Sequence, residues 1–243
     1  MINNLETKEI LLEFLPSQLL TKDDKKIILL VFGSLGDLDS FEYVQTVLDK
    51  FSTNQFNSYE YFALGIGSLK AKQKFCSYTG FPIERLFIVN DNTLHRKLQL
   101  SEGLNLGIPK WINMLLMCAG ISSHGTLKEV IRGYLGDKSA PSVFTKEQNI
   151  KFNSHFKFSS RLFDLVGHGY QRPFELATLR LLNMFHIIRN WYLYFPSLKY
   201  ITQRGATFVL DNDNSLLYSF RATSLLLYSS KANDPLEFVN YLD

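Results

Sequence analysis

The clearest hydrophobic signal in the chain is Ile27-Ile28-Leu29-Leu30-Val31-Phe32, an unbroken apolar run between Lys25-Lys26 and Gly33. A short run without polar alternation fits a strand buried on both faces of a parallel sheet. The turn Gly33-Ser34-Leu35-Gly36-Asp37 follows. Phe41, Val44, Val47, Leu48 and Phe51 then recur at helical period, and Asp39 stands three residues before Glu42, the spacing of a capping box. After a short loop, Tyr61-Phe62-Ala63-Leu64-Gly65-Ile66 reads as a second strand. These elements form a βαβ unit, for which a right-handed crossover is expected. Ser68 to Tyr78 is a second helix, ended by Gly80 and Pro82. Leu86-Phe87-Ile88-Val89 is a third strand, Asn90-Asp91-Asn92 a turn, and Leu94 to Leu100 a short helix.

Beyond residue 100 the pattern turns helical. Lys110 to Met117 and Thr126 to Tyr134 are short helical candidates, and 136–170, rich in Ser, Asn, Lys and Gly, is expected to form loops. Pro173 to Tyr194 is the longest helical pattern, with Leu181, Phe185, Ile188 and Trp191 on one face. Such a stripe is expected to face the core, with Arg180 and Arg189 solvated. If part of it is exposed, the 172–194 segment becomes the candidate contact for a protein partner. Ala206 to Leu210 and Leu216 to Phe220 flank Asp211–Ser215 as a β-hairpin. Pro235 to Leu242 reads as a closing helix with Asp234 as N-cap. This element order is that of a thioredoxin-like α/β fold. It predicts one domain over residues 1–243, its core at about 25–100 and 201–243, with a mainly helical insertion at about 101–200.

Composition narrows the function. At 243 residues the chain has room for a self-sufficient core, and 46% hydrophobic with 20% charged residues excludes intrinsic disorder. A net charge of +3 is too weak a bias to predict nucleic acid or an anionic membrane as partner. No segment reads as a membrane span. Met1 to Leu20 carries Glu6, Glu9 and Glu13 and lacks the pattern of a signal or transit peptide. The expected compartment is therefore the cytoplasm, or the plastid stroma if the gene is plastid-encoded. Cys76 and Cys118 belong to no CxxC or Cys/His cluster and read as reduced thiols, and their spacing leaves a pairing open.

Candidate chemistry sits at Phe32 to Glu42, between a buried strand and a helix N-terminus, where open parallel sheets place reactive groups. Free backbone N–H groups and the helix dipole would stabilise a thiolate there. The chain carries Asp37 and Ser40 instead. The pattern nevertheless resembles the AhpC/TSA peroxiredoxin-like proteins of the thioredoxin superfamily. In redox-active relatives the strand is followed by Gly-Cys-x-x-Cys-Arg-Glu. Gly36 and Glu42 match the outer positions, Asp37 and Ser40 stand at the two cysteines, and Phe41 replaces the Arg. Ser34-x-x-Asp37 partly matches the Thr-x-x-Cys of peroxiredoxins, and Gln203-Arg204-Gly205-Ala206-Thr207-Phe208 is similar to the family's Gln-x-Gly-Gly-Thr-Phe. The run from Gly169 to Arg180 looks like the insert of a cyanobacterial and plastid-type branch. The resemblance spans about residues 25 to 242, and it implies an active-site loop at Ser34, Gly36, Asp37, Ser40, Glu42, Arg204 and Thr207. Family chemistry, thiol peroxidation or thiol–disulfide exchange, depends on a Cys at position 37 and cannot be carried over by an Asp.

A substitute thiol is conceivable at Cys76, with Lys72 one turn away and Lys74 close by to lower its pKa. Cys118, after Leu115-Leu116-Met117, reads as a small buried hydrophobe. Other patterns fall short. Gly65-Ile66-Gly67 lacks the third Gly of a dinucleotide loop, and Gly33-x-x-Gly36 lacks the Lys-Ser/Thr of a phosphate loop. His95, His124, His155, His168 and His186 lack metal-ligand spacing, and Asp211 to Ser215 lacks the Gly and Glu of a calcium loop. Asp37 and Asp39 are expected to cap their helix rather than hold a cation. No cofactor or metal is implied. Two functions stay open: a redox-inactive peroxiredoxin-like protein kept for binding or assembly, and a non-standard thiol peroxidase or oxidoreductase using Cys76.

Overall fold

The computed structural model of the chain describes residues 4–15, 25–51, 59–151, 157–213, 215–231 and 234–242. Residues 16–20 of the N-terminal stretch, 152–156 of the expected loop region and Asn214 of the hairpin loop lie outside them. So does the side chain of Phe51.

The sheet runs β3-β2-β1-β6-β7. Its members are β1 (Lys26–Ser34), β2 (Tyr59–Ile66), β3 (Leu86–Val89), β6 (Ala206–Leu210) and β7 (Leu216–Arg221). β2 pairs parallel with both β1 and β3, whereas β6 runs antiparallel to β1 and forms the hairpin with β7. This α/β arrangement is the thioredoxin-like fold that the element order predicts.

The unbroken apolar run of β1 serves both faces. Ile28, Leu30 and Phe32 join a core cluster with Phe41, Val44 and Val47 of α2 (Leu38–Phe51) and Phe75 of α3 (Leu69–Thr79). Ile27, Leu29 and Val31 join the opposite cluster, with Leu11 of α1 (Asn4–Phe14) and Leu94 of α4 (Thr93–Lys97). Period-two alternation thus feeds two helical layers from one strand. α3 starts at Ser68, whose hydroxyl accepts from the Ala71 N–H, and ends at Gly80 with φ +80°. That left-handed conformation favours glycine.

The middle of the chain is built from α5 (Lys110–Cys118), α6 (Thr126–Leu135), α7 (Glu175–Arg189) and α8 (Trp191–Tyr194). The 136–170 region also holds a small ladder, β4 (Asn149–Lys151) with β5 (Lys157–Ser159), and a 3-10 stretch, Ser160–Val166. The expected helix 173–194 is interrupted at Asn190, whose side-chain amide donates to the His186 carbonyl at 2.7 Å and so competes with the helical ladder. The C-terminal element is a 3-10 helix, Glu237–Tyr241, rather than the expected helix capped by Asp234.

The largest departure concerns α7. Its expected core face points outward, with Leu181 and Phe185 each 54% exposed and Ile188 62%. The buried positions are Leu176, Arg180, Asn183 and Ile187, and Glu175 at the helix start. Polar groups turn inward because each finds a partner there. Arg180 pairs with Glu42, Asn183 exchanges hydrogen bonds with Gln45, and Glu175 pairs with Arg172. Buried charge is tolerated only where it is matched in this way.

Candidate functional site

β1, the central strand, delivers the chain to the Gly33–Glu42 segment that leads into α2. α2 begins at Leu38, so Asp37 rather than Asp39 caps it, and its carboxylate accepts from the Asp39 N–H at 3.4 Å. The expected capping box does not form, because Glu42 is drawn to Arg180 instead. Arg180 Nε donates to Glu42 Oε2 at 2.7 Å, its Nη2 to Oε1 at 3.0 Å, and its Nη1 to the Glu129 carbonyl at 2.7 Å. A bidentate buried pair therefore ties α2 to α6 and α7.

Arg204, at the start of β6, is the counter-charge of the loop. It is 1% exposed. Its Nη1 donates to Asp39 Oδ2 at 2.7 Å, its Nη2 lies 3.4 Å from Asp37 Oδ2, and its Nε donates to the Thr202 carbonyl at 2.9 Å. Asp39 Oδ1 accepts from the Leu226 N–H at 3.1 Å. Two buried carboxyls share one guanidinium, and both pKa values rise. Burial is the main cause for Asp37, opposed by Arg204. Burial and then repulsion from Asp37 push Asp39 up to about 8. The pair titrates as a unit that holds a proton longer than free aspartates do.

The rest of the expected loop is equally closed. Ser34 and Ser40 are buried. Thr207 and Tyr43 share a hydrogen bond of 2.7 Å, and Tyr43 stacks on Tyr228 with ring centroids 4.7 Å apart. The hollow between Asp37, Tyr43, Thr207 and Tyr228 has a volume of about 30 Å³, room for one water. Gly36 is dictated by packing, since a Cβ there would meet Tyr194 Cβ at 2.6 Å and the Phe195 ring at 2.7 Å.

The two thiols are free and lie in different surroundings. Cys76 is buried in the main core, and burial pushes it up to about 11, outweighing the pull of Lys72. The second lysine of the sequence argument, Lys74, exerts its charge on His186. Cys118 is exposed, contrary to its reading as a buried hydrophobe. It sits at the end of α5 and lines a cleft shared with Gly36 and Asp39. Burial of its sulfur surroundings and the nearby Asp39 and Asp37 raise its pKa. Sequence reasoning missed this position because nothing in it places α5 beside the loop. Among the described residues, no group of His, Cys, Asp and Glu is arranged to hold a metal ion. Nor is any helix there long and apolar enough to cross a membrane.

A family model described as AhpC/TSA antioxidant enzyme matches residues 47–224. The chain belongs to that family. The matched stretch covers β2, β3, the middle helices and the β6–β7 hairpin, and begins after the Gly33–Glu42 loop. Comparison with curated proteins and with solved structures finds no match. The AhpC/TSA assignment thus rests on the family pattern and the thioredoxin-like sheet together. The loop just before the matched stretch carries Asp37, whose carboxylate lies 3.4 Å from Arg204 Nη2.

Proposed function

We propose that this AhpC/TSA-family chain is a binding protein that has given up thiol chemistry at the family site. The observation that carries the reading is the buried Asp37–Arg204–Asp39 cluster, which fills the strand-to-helix junction with matched charge. A carboxylate cannot pass through sulfenic acid or disulfide states. The remaining thiols lend no help to a displaced mechanism. A reactive cysteine needs a lowered pKa and access. Cys76 has neither, and Cys118 has access without activation. The alternative enzyme working through Cys76 therefore draws little support from its surroundings. The binding role is supported by the apolar face of α7, which turns to the surface in place of the core.

The test is peroxide consumption by the reduced chain with dithiothreitol as donor, alongside Cys76→Ser and Cys118→Ser. The reading predicts the free-thiol background in all three proteins. Turnover above that background, lost in one of the two variants, overturns it and identifies the nucleophile.

A further inference from the structure

Three helices direct apolar stripes into one unfilled space. α5 contributes Trp111, Met114 and Leu115 beside Cys118, α6 contributes Val130 and Tyr134, and α7 contributes Ala177, Leu181, Met184 and Ile188. The spacings are those of one helical face each. Such faces ordinarily close on one another to native packing density. Here they surround a cleft of about 690 Å³, floored by the Gly36–Asp39 loop and walled on its far side by Leu225 and Leu226. That volume lies within the roughly 300–1,000 Å³ of small-molecule sites, which are concave and mostly apolar.

The polar atoms on the lining decide the charge of the occupant. Arg180 spends its donors on Glu42 and the Glu129 carbonyl. Asp39 accepts from Arg204 and from the Leu226 N–H. The Thr126 hydroxyl donates to the Leu225 carbonyl and meets Ser123. Arg180 is matched by Glu42, and Arg204 faces two carboxyls that hold a proton between them, so the cleft has no unmatched charge to offer near neutral pH, and a charged head would be desolvated without compensation. We infer that the cleft is a binding site for an uncharged, predominantly apolar small molecule, which completes the packing of α5, α6 and α7 and passes Cys118 on its way in. The inference rests on the binding reading above and names the chemistry of what is bound.

The experiment uses the full chain and the neutral dye Nile red, with dodecanol and dodecanoate as competitors of equal chain length. Dye fluorescence should rise on binding, and dodecanol should displace the dye roughly tenfold better than dodecanoate. The double variant Leu181→Glu/Met184→Glu changes two exposed positions and should keep its circular-dichroism melting curve while weakening dye binding roughly tenfold or more. Bound dodecanol should also slow alkylation of Cys118 and leave Cys76 unaffected. No dye binding, equal displacement by dodecanoate, or full binding in the double variant would overturn the assignment. So would light scattering showing a dimer that the double variant dissolves, since a second copy would then fill the cleft. Peroxide turnover is read separately. Turnover in a chain that binds dye sinks the binding-only reading and leaves the cleft assigned, whereas silence in both assays sinks the cleft alone.

Discussion

At the start of α2 the side chains that meet are polar and paired, Glu42 with Arg180, and Asp37 and Asp39 sharing Arg204. A few residues away, across Asp39, the walls of the 690 Å³ cleft are mostly apolar, and Leu115, Leu181 and Ile188 stand more than half exposed. The two regions share a border at Asp39. Here the helix start holds the structure together, and the neighbouring surface is left free. The contrast teaches that an aspartate at a strand-to-helix junction need not leave a hole. The Asp37 side chain found a counter-charge in Arg204, and the junction closed around a hollow of about 30 Å³.

The sharpest way to break this contrast is to remove the charge that closes the junction. Arg204→Leu leaves two buried carboxyls without their cation and is expected to cost roughly 5 kcal/mol of unfolding free energy, read by urea denaturation. A loss near zero would mean that the cluster is ornamental. Arg180→Leu strands one carboxylate, Glu42, and should cost about 3 kcal/mol in the same assay.

A smaller effect follows from protons. The folded-state pKa of Asp39 is raised, to about 8, so the folded chain binds a proton that the unfolded chain releases near pH 4. Stability should therefore be highest below that range and fall as pH climbs through about 8. The loss between about pH 6 and pH 9 is roughly 2–3 kcal/mol. Asp39→Asn should flatten that slope, and an unchanged slope would place the titration elsewhere. The smallest effect belongs to the other region. Leu181→Ser on the open face should change stability by no more than about 0.5 kcal/mol, because the side chain is already more than half exposed. A large loss would show that something covers the face.

How much of this was legible in the sequence follows from range. β1, α2, α3 and the β6–β7 hairpin were readable because each is fixed by neighbours in the chain: a continuous apolar run, a helical stripe, Ser68 and Gly80 as caps, a polar turn. The direction of α7 was not. Its stripe has the right period for a core helix, and only the partners of Arg180 and Asn183, each 138 positions away, decide which face turns in. The family pattern drew attention to the Gly33–Glu42 loop and to Arg204, which the structure brings together. It could not show that Arg204 reaches both aspartates, although an Arg in a variable motif position opposite two acids was the available signal. Cys76 looked activated because Lys72 is near in sequence, yet burial dominates. Cys118 looked inert because apolar residues precede it, yet the end of α5 is open.

The most direct test of the account is the alkylation rate of each thiol in the native chain, followed by mass spectrometry with iodoacetamide near pH 7 against free cysteine. The account predicts that both react more slowly than free cysteine, Cys76 far more so, because burial pushes it up to about 11, and because burial first, and then Asp39 and Asp37, raise Cys118. Either thiol reacting faster than free cysteine would mean that an activated nucleophile survives in this fold, and would contradict the account.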